Sequence, residues 1–183
     1  GMIATGDFST TLVMHEAGAH VITAIQPSQV LTASTNITGT PGSYSRLQIL
    51  APGEVADAGN VAGGGKLAGN PPTVQGVSVP FPVSIRAVDQ FFNTVTTFNG
   101  GDTRLSLNTV NGIFIPANNA MNGPTPRAFV NGVTTRNVLI GEQGPWIIDV
   151  RDQSDLTKSG QTVEVTVNPG PTYEFTVSSP VDR

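Results

Sequence analysis

Apolar side chains recur at every second position in short runs along most of this chain, and a period of two marks strands with one buried face. The clearest run is Val77–Val88, where Phe81, Val83, Ile85 and Ala87 alternate with Ser84 and Arg86. Pro80 and Pro82 place its start on a sheet edge, since proline cannot donate to a ladder. Shorter runs predict strands at Phe8–Met14, His20–Ile25, Ser34–Thr38, Arg46–Leu50, Arg104–Asn108, Ile113–Ile115, Arg127–Val130, Asn137–Ile140, Trp146–Val150 and Thr162–Val167. Alternation also assigns faces. Ile22 and Ala24 are expected inward with Thr23 outward, Ile148 and Val150 inward with Asp149 outward, and Val163, Val165 and Val167 inward. Asn-Gly pairs at 99–100, 111–112, 122–123 and 131–132 punctuate the runs and favour tight hairpin turns. No segment shows a helical period over more than a turn or two. The stretch Ala51–Gly76 shows neither period and contains Gly63-Gly-Gly65 and Pro71-Pro72, so it reads as a long loop.

The pattern occurs twice. Glu142-Gln-Gly-Pro-Trp-Ile-Ile-Asp-Val150 answers Glu16-Ala-Gly-Ala-His-Val-Ile-Thr-Ala24, with Gly18 and Gly144 standing 126 positions apart. Val165-Thr-Val-Asn-Pro-Gly170 answers Ile37-Thr-Gly-Thr-Pro-Gly42, and Phe175-Thr-Val177 answers Leu47-Gln-Ile49, now 128 apart. The second copy therefore carries about two extra residues. Self-similarity at a fixed period signals a repeat array. The expected organisation is the C-terminal half of one unit at 1–43, a complete unit at 44–170, and the first strand of a following unit at 171–183. The fold class expected is an all-β antiparallel sandwich, one complete unit plus a partial one.

Composition narrows the function classes. Charged residues make up only 12% of the 183 residues and the formal net charge is −4. That balance argues against a nucleic-acid or anionic-membrane surface. There is no cysteine, hence no disulfide, thiolate metal site or cysteine nucleophile. No apolar run approaches the roughly 20 residues of a membrane span, so no direct membrane insertion is expected. Gly1 precedes Met2 in the manner of a cloning remnant, so a missing leader peptide carries no information.

Candidate chemistry is sparse. Gly59–Lys66 resembles a phosphate loop only loosely: the spacing is one residue too long and Leu67 follows the lysine, which favours a Gly-rich loop. His15 and His20 are the only histidines, too few for a zinc site, and Gly141 and Trp146 replace them in the second copy. Asp149, Asp152 and Asp155 are candidate calcium ligands near a strand end, but Thr23 and Gln26 stand at the first two of those positions in the other copy. No serine lies in a nucleophile elbow, and catalytic carboxylate pairs cannot be picked out by spacing. No catalytic residue and no cofactor is expected. Phe91 and Phe92 are candidate ligand contacts because an extended pair must point one ring each way. Trp146 shares its face with Ile148 and Val150 and is expected at the end of the core.

Leu47-Gln-Ile-Leu-Ala-Pro-Gly-Glu54, the Gly-rich stretch after it, and Val83-Ser-Ile-Arg-Ala-Val-Asp-Gln-Phe-Phe-Asn-Thr-Val95 resemble the bacterial Ig-like repeats of large surface and secreted proteins, the invasin and intimin modules. Val88-Asp89 and Asn93-Thr-Val95 carry the pattern, and the resemblance extends over about 47–167. It implies an extracellular, non-catalytic stalk or spacer repeat of a bacterial surface protein, with neighbouring repeats as partners and an adhesive role towards a host or glycan ligand. The alternative is a carbohydrate- or protein-binding accessory module of a secreted enzyme. A half-unit leaves strand edges and half a core uncovered. It is therefore expected to pack on the complete unit, or to be completed by Thr172–Ser178 of its own or a neighbouring chain in a strand-exchange dimer.

Overall fold

The computed structural model describes residues 10–26, 31–109, 114–115 and 128–170. Among the described residues there is no helix, and eleven strands form three sheets. Strand β1 (Gly18–Gln26) pairs antiparallel with β2 (Leu31–Gly39) in an isolated two-stranded ribbon. Strand β3 (Arg46–Leu50) pairs with β5 (Phe81–Val88), and β5 with β8 (Val133–Val138), in a three-stranded sheet. The third sheet runs β4 (Gln75–Gly76), β11 (Val165–Asn168), β9 (Gly144–Asp152), β6 (Thr103–Thr109) and β7 (Phe114–Ile115), with β10 (Ser159–Gln161) added to β9. All pairs are antiparallel except β4 with β11. The first two strands of the sandwich thus divide, β3 joining one sheet and β4 the edge of the other. This is an Ig-like sandwich.

The two larger sheets close on one core. Leu47 and Ile49 of β3, Val83 and Ile85 of β5 and Val138 of β8 face Leu105, Trp146, Ile148, Val150, Val165 and Val167 from the opposite sheet. Each strand contributes alternate residues because the pleat sends neighbouring side chains to opposite faces. Pro82 fits this scheme. It pairs with Asn137 of β8, while β3 ends opposite Ser84, so that end of β5 has only one neighbour.

Several sequence expectations need correction. The run at 10–14 is not a strand, while residues 8 and 9 lie outside the described set, as do Ile113, Arg127, two of the Asn-Gly pairs and Thr172–Ser178. The strand expected at Asn137–Ile140 is instead Val133–Val138. Its inward positions hold Thr134 and Arg136 before Val138, so no apolar period announces it. Arg136 is buried against Asp102, which satisfies the charge. Val163 is exposed at 47%, although Val165 and Val167 are buried as expected. The cause is a β-bulge. Gln161 pairs with Asp149 and Val165 with Trp146, leaving three residues on one strand opposite two on the other. Thr162 turns inward there, and its Oγ1 accepts the Ile148 N–H at 3.0 Å.

The long loop 51–74 is knit together without regular strands. Lys66 Nζ donates to Glu54 Oε1 at 2.6 Å, and the Glu54 side chain is 1% exposed. The Ala51 N–H donates to the other oxygen of Glu54. Gln48 Nε2 donates to Gly65 O at 2.6 Å, tying the loop to β3.

Candidate functional site

The two segments whose sequences echo each other also share a backbone conformation, and that likeness leads to the site. In the ribbon His20 pairs with Ile37, Ala19 with Thr38 and Gly18 with Gly39. In the sandwich Trp146 pairs with Val165, Pro145 with Thr166 and Gly144 with Val167. These are the same positions of the two copies. Gly18 and Gly144 share an unusual φ, +138° and +134°, in a region that side chains rarely adopt. The turn before each glycine is pinned alike. His20 Nε2 donates to Glu16 O at 3.0 Å, and Trp146 Nε1 donates to Glu142 O at 3.1 Å. The two extra residues of the second copy are placed as well. One forms the bulge. The other lies in the hairpin turn, since Asp149 pairs with Gln161 whereas Thr23 pairs with Ser34.

The turn before Gly18 meets the sandwich at Asp89 and Asn93, which flank the loop leaving β5. The Asn93 amide bridges two main-chain groups of the preceding segment: the Ala17 N–H donates to Oδ1 at 2.7 Å, and Nδ2 donates to His15 O at 2.8 Å. A side-chain amide here takes the place of a strand's peptide group. Asp89 holds that amide in place. Its Oδ1 accepts the N–H groups of Phe91 and Asn93, and its Oδ2 accepts the Gly42 N–H at 2.8 Å. Asn93 Nδ2 also lies 3.0 Å from Asp89 Oδ2. One buried carboxylate thus joins the loop, the Pro41-Gly42 linker and, through Asn93, the turn at 15–17. Burial alone would raise the Asp89 pKa, but the bonds from Asn93, Gly42 and Phe91 outweigh it and hold the carboxyl below its ordinary range.

Two further contacts close the junction. The rings of His15 and Phe91 stack at 4.4 Å with an interplanar angle of 9°. Gly59, from the long loop, lies so near that a Cβ there would stand 3.3 Å from Glu16 Cβ. Its φ of +81° and its N–H bond to Phe91 O fix it against the same turn. A cleft between Tyr44, Asp89 and Glu16 remains at the junction.

The other sequence candidates are dispersed. Phe91 covers His15, whereas Phe92 is buried at φ +64°, with Arg46 over its ring at 5.0 Å. A Cβ on Gly65 would lie 2.3 Å from Phe92 Cγ, so the Gly-rich loop seats this ring. Asp152 faces inward and accepts from Tyr44 Oη and from Ser154. Asp149 points to the other face and accepts from Gln161, while Asp155 is held by Thr157 and Lys158. Among the described residues no three His, Asp or Glu side chains converge on a metal position. Trp146 is 4% exposed and part of the core.

No family model and no curated protein matches this chain. Among solved structures, a glycosyl hydrolase family 2 member from Bacteroides cellulosilyticus DSM 14838 is similar at TM-score 0.38 and 12% identity. The match covers 82% of this chain and 18% of that one. The CARDB domain of a Pyrococcus furiosus protein, solved in complex with di-metal ions, is similar at TM-score 0.31 and 10% identity, covering 89% of this chain and all of that domain. This chain spans less than a fifth of the length of the hydrolase it resembles. Similarity at these levels assigns neither a family nor an activity.

Proposed function

We propose that the chain is a non-catalytic Ig-like repeat of a bacterial surface or secreted protein, and that it acts as a spacer between neighbouring repeats of one polypeptide. The observation that carries this reading is the junction, where Asn93 pairs with the main chain at His15 and Ala17 while Asp89 fixes the linker at Gly42. A linker tied at three points limits bending, which is what a spacer requires and a flexible tether does not. The ribbon fits the same reading. Its Ile22 and Ala24, with Ala33 and Ile37 opposite or beside them, form a face that strands of a preceding unit would cover, as β3 and β5 cover β9 and β11.

Residual dipolar couplings test it. One alignment tensor should describe both the ribbon and the sandwich, and Asn93→Ala should separate it into two. Independent tensors in the unaltered chain, or saturable retention by a glycan array, would overturn the spacer reading in favour of a binding module.

A further inference from the structure

The complete unit carries at its far end the same main-chain pattern that its Asn93 grips at the near end. Position by position, Gly141 O corresponds to His15 O, the Gln143 N–H to the Ala17 N–H, and the Gly170 N–H to the Gly42 N–H. The correspondence does not rest on sequence alone. Both turns end in a glycine at φ near +135°, both carbonyls at Glu16 and Glu142 accept a ring N–H from four residues on, and both enter strand pairs of identical register. The surroundings differ. A Cβ on Gly42 would meet Asp89 Oδ2 at 3.4 Å, but a Cβ on Gly141 or Gly170 would meet nothing within 4 Å. Gly141, Glu142, Gln143 and Gly170 are all exposed. A preformed strand-edge turn of this kind presents a main-chain donor and acceptor in fixed positions.

We propose that Gly141–Gln143 together with the Gly170 N–H is a docking surface, and that its occupant is a second copy of this unit placed after Gly170. The Asn93 of that copy bridges Gly141 O and the Gln143 N–H, its Asp89 accepts the Gly170 N–H, and its Gly59 lies against Glu142 as Gly59 here lies against Glu16. The sequence beyond Gly170 supports that occupant, because Phe175-Thr-Val177 answers Leu47-Gln-Ile49. One contact is missing from the second junction. Gly141 stands where His15 stacks on Phe91, so this junction is held by hydrogen bonds without ring stacking and opens more readily than the first.

The inference rests on the spacer reading, and its test keeps the two apart. The full chain is prepared with residues 43–170 duplicated in tandem, residues 1–170 alone being isotope-labelled by segmental ligation so that Ala17 and the first copy are both observed, and amide exchange is followed by NMR. The Gln143 and Gly170 amides of the first copy should exchange at least tenfold more slowly than in the 183-residue chain. Asn93→Ala in the second copy should abolish the slowing at Gln143. Unchanged Gln143 exchange on duplication, with Ala17 still protected in the same sample, overturns the docking surface and leaves the spacer reading standing. Rapid exchange at both Ala17 and Gln143 overturns both.

Discussion

The β1–β2 ribbon and the β9–β11 pair have similar sequences and a similar local conformation, but their burial differs. Both pair their first three residues in the same register after a glycine of the same left-handed φ, and diverge beyond them at the bulge. In β9–β11 the inward residues Trp146, Ile148, Val150, Val165 and Val167 are buried. In the ribbon the outward Val21 and Ile25 are each 66% exposed, and Ala24, on the potentially inward face, is exposed as well. Pairing is therefore specified locally, by a glycine turn and a period of two, whereas burial depends on strands far away in the chain. A two-stranded ribbon by itself is only marginally stable. What fixes this one to the sandwich is the junction at its base.

Truncating the matching residue in each region should give the largest difference between them. Ile148 is fully buried, so Ile148→Ala should lower the stability of the sandwich by about 3 kcal/mol through lost burial and a residual cavity. Ile22 occupies the same position of the other copy, and Ile22→Ala should cost about 0.5 kcal/mol or less. Urea denaturation followed by Trp146 fluorescence measures both. Comparable losses would mean that the ribbon is packed against a surface of its own.

Much of this was legible beforehand, for reasons the two regions make plain. Alternation marks the inward faces of β5 and β9, and the internal echo picks out Gly18 and Gly144, which share a φ near +135°, because both signals are local. Strand β8 is not legible from the pattern because Thr134 and Arg136 stand at inward positions, and nothing local says that Asp102 will meet that arginine. Val163 lies on the face opposite to the one alternation predicts, because a bulge changes the phase of a strand without changing its composition. The roles of Asp89 and Asn93 were missed for a deeper reason. Their partners at His15, Ala17 and Gly42 are main-chain groups, which every residue possesses. The available hint was a pair of polar residues four apart bracketing two phenylalanines at the end of the strongest strand.

Removing Asn93 is the next largest perturbation. Asn93→Ala deletes bonds to Ala17, His15 and Asp89 and leaves part of the carboxylate unsatisfied, which should cost about 2 kcal/mol. The loss should fall on the ribbon and its junction. Ala17 amide exchange should accelerate by more than tenfold while amides in β9 stay protected. Acceleration in both regions would show that the ribbon and sandwich unfold together.

The bulge supplies a smaller test confined to the sandwich, since the ribbon has the regular register throughout. Thr162→Val removes the hydroxyl that accepts the Ile148 N–H, leaving a buried donor with no partner from that side chain at a cost of about 1 kcal/mol. A β-branched replacement keeps the shape, so the loss reports the hydrogen bond. Stability equal to that of the unaltered chain would assign the bulge to the backbone alone.

Acidification produces the mildest effect and is the finest probe of the junction. The Asp89 carboxyl lies below its ordinary value of 3.8 in the folded chain, because hydrogen bonds to its charged form outweigh burial. A depressed folded pKa contributes stability above the unfolded value, and that contribution is lost as pH falls through the folded value. The contribution of Asp89 should thus be complete from about pH 5 upward and decline below pH 4. Asp152 is depressed in the same direction within the sandwich, where it is held chiefly by Ser154 and Tyr44 against the cost of burial. A global melt would therefore mix the two sites. The Gly42 amide separates them, because its bond goes to Asp89 alone. Its exchange, corrected for intrinsic pH dependence, should accelerate below pH 4 in the unaltered chain and vary far less with pH in Asp89→Asn. A matching acid response in that variant would place the titrating group elsewhere and detach the clasp from the charge of Asp89.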